Sequence, residues 1–194
     1  QFLQTIDNEE SLGMLKSNAH ARLSYVYECV DSVRKRLAKD KALIGFSGAP
    51  WTLATYMIEG HGSKSYEKSK KMLYQNPKLL HALLQKLTDE IKQYLSMQIK
   101  AGANAVMLFD SWANALEKSK YLEFGWFYLQ DIASYLKTMY PQIPLIAFPR
   151  GVGAFLESLH GKFDVLGIDW QIDMKEAKEK AGDRFVLQGN LEPA

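Results

Sequence analysis

This sequence predicts an α/β fold around a parallel sheet, and three observations predict it. Short runs that are apolar at every position recur at 42–46, 105–109, 145–148, 165–168 and 185–187, and such runs suit strands buried on both faces. Each run ends near Gly, Asp, Ser, Pro or Gln, and a helix-spaced pattern fills each interval. Strict strand–helix alternation implies βα units with parallel pairing. Five strands make either a small doubly wound sheet or most of a (β/α)8 TIM barrel, which needs about 250 residues. The sequence has 194, opens on Gln1 rather than Met, and stops directly after a strand-like run. Those ends favour about five consecutive βα units of a barrel, cut from something longer. Residues 1–194 are then one partial barrel domain, lacking the first strands and the last.

The elements follow in order. Leu23, Val26, Tyr27, Val30, Val33 and Leu37 form a helical apolar stripe ahead of the first strand. That strand runs into Gly45-Phe46-Ser47-Gly48-Ala49-Pro50-Trp51-Thr52, where Pro50 suits the first turn of a helix that carries Tyr56. Asn76 and Pro77 open the next helix as N-cap and first-turn proline, and Gly102 closes it. Leu80, Leu83, Leu84, Leu87, Ile91, Tyr94, Leu95 and Ile99 give that helix an apolar face over about five turns. Leu122, Leu129, Ile132, Leu136 and Met139 mark a further helix, stopped by Pro141. Asp173 and Glu176 start a short one that ends at Gly182.

Hydrophobic residues make up 47% of the chain and aromatic ones 12%, ample for a packed core. The net charge is only +2, with both signs spread along the chain, which argues against a nucleic-acid binder. No apolar run approaches the roughly 18 residues of a membrane span. The start QFLQTIDNEE lacks a leader's basic-then-apolar order. Cys29 stands alone, which excludes an internal disulfide and a Cys-based zinc cluster; lying beside an apolar stripe, it reads as structural. The expectation is a cytoplasmic globular protein.

In either architecture, chemistry gathers at the C-terminal ends of strands. Gly45, Gly48 and Ala49 allow close backbone approach. A helix beginning at Pro50 turns free N–H groups toward the mouth, which favours an anion. Thr52 and Tyr56, four residues apart, share one helical face; Tyr56 either brings a phenol to an anionic ligand or caps the core. Alternation sends one of Asp110 and Ser111 inward and the other toward the helices. With no base in view and no G-x-S-x-G context, Ser111 reads as a hydrogen-bonding group or a helix N-cap, not a nucleophile. Arg150 suits a carboxylate through its two-pronged guanidinium, or else a rim ion pair. Asp169 suits a ligand, or a loop whose backbone N–H groups it accepts. His20, His61, His81 and His160 are scattered without metal-ligand spacing, and no dinucleotide or Walker loop is present. Lys64, Lys68, Lys70 and Lys71 read as a solvated helix face.

Residues 45–60, GFSGAPWTLATYMIEG, resemble the second signature of the uroporphyrinogen decarboxylase family position by position. The likeness continues through AGANAVMLFDSWA (101–113), FPRG (148–151), VLGIDW (165–170) and QGNLEP (188–193), so it covers nearly the whole chain from about Leu23 onward. The resemblance implies a (β/α)8 barrel of haem biosynthesis that removes the carboxyl groups of four acetate side chains of uroporphyrinogen III, giving coproporphyrinogen III. It implies no metal and no organic cofactor: protonating a ring carbon makes the pyrrole electron-poor, CO2 leaves, and a second proton completes the methyl group. A ligand with eight carboxylates suits the anion-accepting helix end. By position, the resemblance makes Tyr56 a substrate-contacting tyrosine, Ser111 a partner for a substrate side chain, and Phe46 part of an apolar wall beneath the macrocycle. It also implies a cytoplasmic homodimer paired through active-site faces.

The departures bear on activity. The family's first signature with its paired arginines, its aspartate after the second strand and a histidine near its C-terminus have no counterpart in this chain. Those groups bind the pyrroles and supply the proton, so no catalytic residue is assigned within 1–194, and the chain alone is expected to be inactive. Arg150 stands where relatives often carry Lys, which alters geometry, and Glu192 where they often carry Asp. Two alternatives remain. One is a corrinoid-linked methyltransferase of the related barrel family, which holds zinc on His and Cys. The other is a tetrapyrrole-binding protein without catalysis.

Overall fold

The computed structural model describes residues 4–193. Five parallel strands stand in the order of the sequence: β1 (Ile44–Gly48), β2 (Ala105–Asp110), β3 (Leu145–Pro149), β4 (Val165–Gly167) and β5 (Val186–Gln188). Each pairs with the next. Sequential order decides between the two predicted architectures. A doubly wound sheet reverses direction at a switch point and permutes its strands, whereas a barrel lays each strand beside the last. The sheet is therefore an arc of a (β/α)8-type barrel. All five predicted strands are present. The first lies two residues further on than 42–46, because its pairing runs from Ile44 opposite Ala105 to Gly48 opposite Phe109.

Register splits the strand side chains between two faces. Ser47, Val106, Leu108, Leu145, Ala147 and Leu166 are buried beneath the helices. On the inner face Ile44, Phe46 and Val186 are exposed, and Met107, Phe109 and Phe148 half-buried. The apolar runs, read as buried on both faces, are thus covered mainly on one among the described residues.

The helices cover the outer face. α1 (Glu9–Gly13) and α2 (Ser24–Arg36) precede β1; α3 (Pro50–Glu59), α4 (Glu67–Gln75) and α5 (Pro77–Lys100) join β1 to β2. α6 (Lys118–Tyr121) and α7 (Phe127–Met139) lead to β3, and α8 (Met174–Ala181) leads to β5. α5 begins as expected, with Asn76 Oδ1 accepting the Leu79 N–H at 3.3 Å and Pro77 in the first turn. Its Leu80, Leu83, Leu84, Ile91 and Leu95 are buried. At α8, Asp173 accepts the N–H groups of Lys175 and Glu176, and Gly182 ends the helix at φ 59°.

Four features depart from the sequence reading, the first being that a 3-10 turn at Gly153–Ser158 stands between β3 and β4 where a helix was expected. The stripe on α2 is covered chiefly at Tyr27, whose ring meets Tyr94 of α5 at 5.9 Å, while Val33 is exposed. Cys29 is exposed as well, which corrects its structural reading. The helix expected through 122–139 is interrupted by a π-turn at Leu122–Trp126. There a Cβ on Gly125 would sit 2.6 Å from Tyr121 Cδ2, so glycine makes room for a Tyr121 ring that is wholly buried. Among the described residues, no helix is long and apolar enough to cross a membrane.

Candidate active site

The ends of β1, β2 and β3 meet at the start of α3. The Ala49 N–H donates to the Phe109 carbonyl at 2.9 Å, tying the helix to β2, and Pro50 occupies its first turn. Thr52 does not face the mouth. It is buried, its hydroxyl donates to Asp110 Oδ1 at 2.7 Å, and the same oxygen accepts the Trp112 N–H at 3.3 Å. Trp51 Nε1 donates to the Trp112 carbonyl at 2.9 Å. Tyr56, one turn beyond Thr52, stays half-buried at the mouth with its ring edge-on to Trp112, centroids 6.1 Å apart.

Asp110 takes the helix side of β2, where it meets Thr52, and Ser111 follows in the turn beyond the strand. Asp110 is fully buried, and burial pushes its carboxyl pKa up to about 6, with hydrogen bonding from Thr52 and Tyr121 pulling the other way. Asp110 Oδ2 and Tyr121 Oη nonetheless lack a partner in regular hydrogen-bond geometry, and the phenol pKa is driven well up by burial and by Asp110. Ser111 is half-buried and caps no helix, since the short turn Ala113–Ala115 starts from Trp112 without a side-chain cap.

Arg150 heads the loop after β3, its backbone N–H donating to the Asp110 carbonyl at 3.1 Å. The guanidinium carbon lies 5.1 Å from the Trp170 ring centroid, a cation–π contact. Its Nε is buried without a partner, and among the described residues no carboxylate stands within ion-pair distance, so the rim ion pair is not formed. Asp169 holds loops together: it accepts the N–H of Gly151 and, at 2.9 Å, that of Gln171.

On the inner face Phe46 is 61% exposed. Its ring meets Phe109 edge-on at 5.9 Å, and Phe109 meets Phe148 at 6.1 Å. Gly167 opposite leaves space for Phe148, whose Cδ2 would lie 2.6 Å from a Cβ there. Three edge-to-face rings thus make a continuous apolar wall beneath the mouth.

The structure places Tyr56, Ser111 and Arg150 beyond the C-terminal ends of β1, β2 and β3 and Phe46 on the inner face of β1, and it adds aromatic groups that sequence reasoning passed over. Trp112 and Trp170 carry Tyr56 and Arg150. Tyr66, from the loop after α3, packs on Trp112 at 5.5 Å and stands at φ 55°, a conformation rare for a bulky residue. Its N–H donates to Ser63 Oγ at 2.9 Å. Burial raises its pKa, Tyr56 adds to the rise and Arg150 opposes it, so all three groups share one field. The only sequence signal for Tyr66 was an aromatic ending the loop Gly60-His61-Gly62-Ser63-Lys64-Ser65. A separate apolar cavity of about 300 Å³, lined by Leu15, His20, Leu53, Met57, Ile91 and Tyr94, shares no residue with the mouth. No cluster of three or more His, Cys, Asp or Glu side chains suited to a metal ion occurs among the described residues.

The family model described as uroporphyrinogen decarboxylase (URO-D) matches residues 1–194. The uroporphyrinogen decarboxylase of Helicobacter acinonychis (strain Sheeba) is 60% identical over 192 residues, covering 99% of this chain and 57% of that protein. That of Wolinella succinogenes is 57% identical over 194 residues, 100% of this chain and 57% of the relative. The chain therefore spans a little over half the length of these relatives. A methyltransferase from Methanosarcina mazei superposes with a TM-score of 0.73 over 95% of this chain and 51% of its own, at 20% identity, a likeness of fold alone. With a family match over the whole sequence and a barrel arc whose strand ends carry the signature residues, the chain belongs to the uroporphyrinogen decarboxylase family.

Proposed function

We propose that this chain carries the substrate-facing part of a uroporphyrinogen decarboxylase, which converts uroporphyrinogen III to coproporphyrinogen III. One observation carries the reading: an apolar wall of three phenylalanines is topped, at the strand ends, by a phenol, a hydroxyl and a guanidinium that no carboxylate among the described residues neutralises. A tetrapyrrole is an apolar macrocycle rimmed by carboxylates, and the two halves of that description meet the two halves of the site. Phe46, Phe109 and Phe148 take the macrocycle; Tyr56 and Ser111 offer hydrogen bonds to acidic side chains; Arg150, held over Trp170, pairs with a carboxylate.

In the reaction a proton adds to a pyrrole carbon, the electron pair of the bond to the departing carboxyl group flows into the ring as CO2 leaves, a second proton completes the methyl side chain, and the ring carbon gives back the first proton to restore the pyrrole. The residues of this chain bind and orient the macrocycle for that sequence and shield it from water along the apolar wall. The proton donors and the group that stabilises the cationic ring come, on this reading, from the part of the family's length that this chain does not span. The enzyme acts in the cytoplasm as a homodimer.

Mass spectrometry of the porphyrins formed by a protein of full family length carrying this chain tests the reading. Loss of four carboxyl groups from uroporphyrinogen III is expected. Methyl transfer with the porphyrin unchanged would assign the chain to the methyltransferases, and tight binding without turnover would make it a tetrapyrrole carrier.

A further inference from the structure

We propose that Thr52 and Asp110 form a positioning pair that sets Trp112, and with it Tyr56, Ser111 and Arg150, for the substrate; this rests on the reading above. Thr52 Oγ1 is the atom that joins three parts of the site. It belongs to α3, donates to Asp110 Oδ1 at the end of β2 (2.7 Å), and accepts the backbone N–H of Trp112 in the following loop (3.3 Å). The Asp110 carbonyl in turn accepts the Arg150 N–H at 3.1 Å, which anchors the start of the next loop. Tyr56, Ser111 and Arg150 are therefore each one bond, one residue or one helical turn from this pair. Ser111 lies between Asp110 and Trp112. Tyr56 stands one turn from Thr52 and packs on the Trp112 ring. Arg150 hangs from Asp110 itself.

Simple packing does not explain the pair. Asp110 is wholly buried, and its Oδ2 and the hydroxyl of the equally buried Tyr121 beside it have no partner in regular hydrogen-bond geometry. Leaving such atoms unsatisfied is costly, and apolar side chains of similar volume fill space without that cost. What apolar groups cannot supply is direction. A hydroxyl held between one acceptor and one donor fixes the phase of α3 against the loop after β2, the tolerance on which an active-site constellation depends.

The test uses a protein of full family length, assayed for uroporphyrinogen turnover and substrate KM well below each variant's Tm. Thr52→Val keeps the shape and removes the hydroxyl; Thr52→Ser keeps the hydroxyl. Roughly a tenfold or greater fall in kcat/KM for Thr52→Val is expected, the scale of one misplaced active-site hydrogen bond, with Thr52→Ser retaining most of the wild-type value. A folded Thr52→Val with wild-type kcat/KM overturns the inference, because a merely structural role lowers Tm and spares the folded enzyme. Should Thr52→Val not fold, Thr52→Ala removes the same hydroxyl from a smaller side chain, and the same fall in kcat/KM relative to Thr52→Ser is expected; a folded Thr52→Ala with wild-type kcat/KM overturns the pair. Wild-type inactivity would remove the underlying decarboxylase reading and this inference with it; an active wild type with an unaffected Thr52→Val removes this inference alone.

Discussion

Tyr56 and Asp110 differ in what water can reach, and their substitutions should read differently. Tyr56 keeps its hydroxyl at a half-open mouth, so Tyr56→Phe in the full-length enzyme should lower kcat/KM roughly tenfold while leaving Tm almost unchanged. Unchanged turnover and affinity would reduce Tyr56 to a packing residue. Arg150→Gln removes the charge placed over Trp170 and should raise KM by roughly tenfold with a smaller effect on kcat, the signature of lost substrate binding. Asp110 acts through pH. Its folded pKa of about 6 lies above the ordinary 3.8, so its contribution to stability is fully present below that ordinary value and is lost as pH rises through about 6. Denaturation of wild type and Asp110→Asn side by side should show the variant gaining relative stability over that window, by up to about 3 kcal/mol at about 1.4 kcal/mol per pKa unit, and a constant difference above it. A difference independent of pH would mean that Asp110 does not titrate there. Strand ends and a specific signature mark Tyr56, Ser111, Phe46 and Arg150 as candidates in the sequence, and their positions at or near the ends of β1, β2 and β3 were legible there. Tyr66 was not, since a loop residue's reach depends on tertiary packing. The burial of Thr52 was not legible for a related reason: i, i+4 spacing gives a shared face with Tyr56, but the strand that the helix packs on sets which part of that face meets the core.

At the scale of elements, the π-turn is the feature the periodicity concealed. Leu122, Leu129, Ile132 and Leu136 keep enough helical spacing to read as one helix, yet the backbone widens at Leu122–Trp126 so that Tyr121 can enter the core beneath β2. Gly125→Ala should therefore destabilise the protein by about 1–3 kcal/mol, the usual range for overpacking, because its Cβ would meet the Tyr121 ring at 2.6 Å. Thermal or denaturant unfolding checks this, and a neutral Gly125→Ala would mean the turn is set elsewhere. The five strands and α5 were readable from local pattern alone, since four or five consecutive apolar residues and an Asn-Pro start need no tertiary information. Strand order is different. Five alternating units fit a doubly wound sheet as well as a barrel, and only the pairing of β1 through β5 in sequence separates them.

For the molecule as a whole, the open inner face governs behaviour. Phe46 and Val186 are 61% and 66% exposed on the inner face, and β1 and β5 each have one unpaired edge among the described residues. Such edges and apolar faces associate, so residues 1–194 in isolation should self-associate with rising concentration in sedimentation experiments and form no coproporphyrinogen from uroporphyrinogen III; coproporphyrin from that polypeptide would show that the missing groups are dispensable. The central claim is that this face, with its phenylalanine wall and its phenol and guanidinium rim, is where the tetrapyrrole lies. A structure of the full-length enzyme with bound coproporphyrinogen tests it most directly. The account predicts the macrocycle against Phe46, Phe109 and Phe148, with substrate carboxylates within hydrogen-bond distance of Tyr56 and Arg150. A macrocycle seated instead in the helix-side cavity between Leu53, Met57 and Tyr94, with the phenylalanine wall bare, would contradict it.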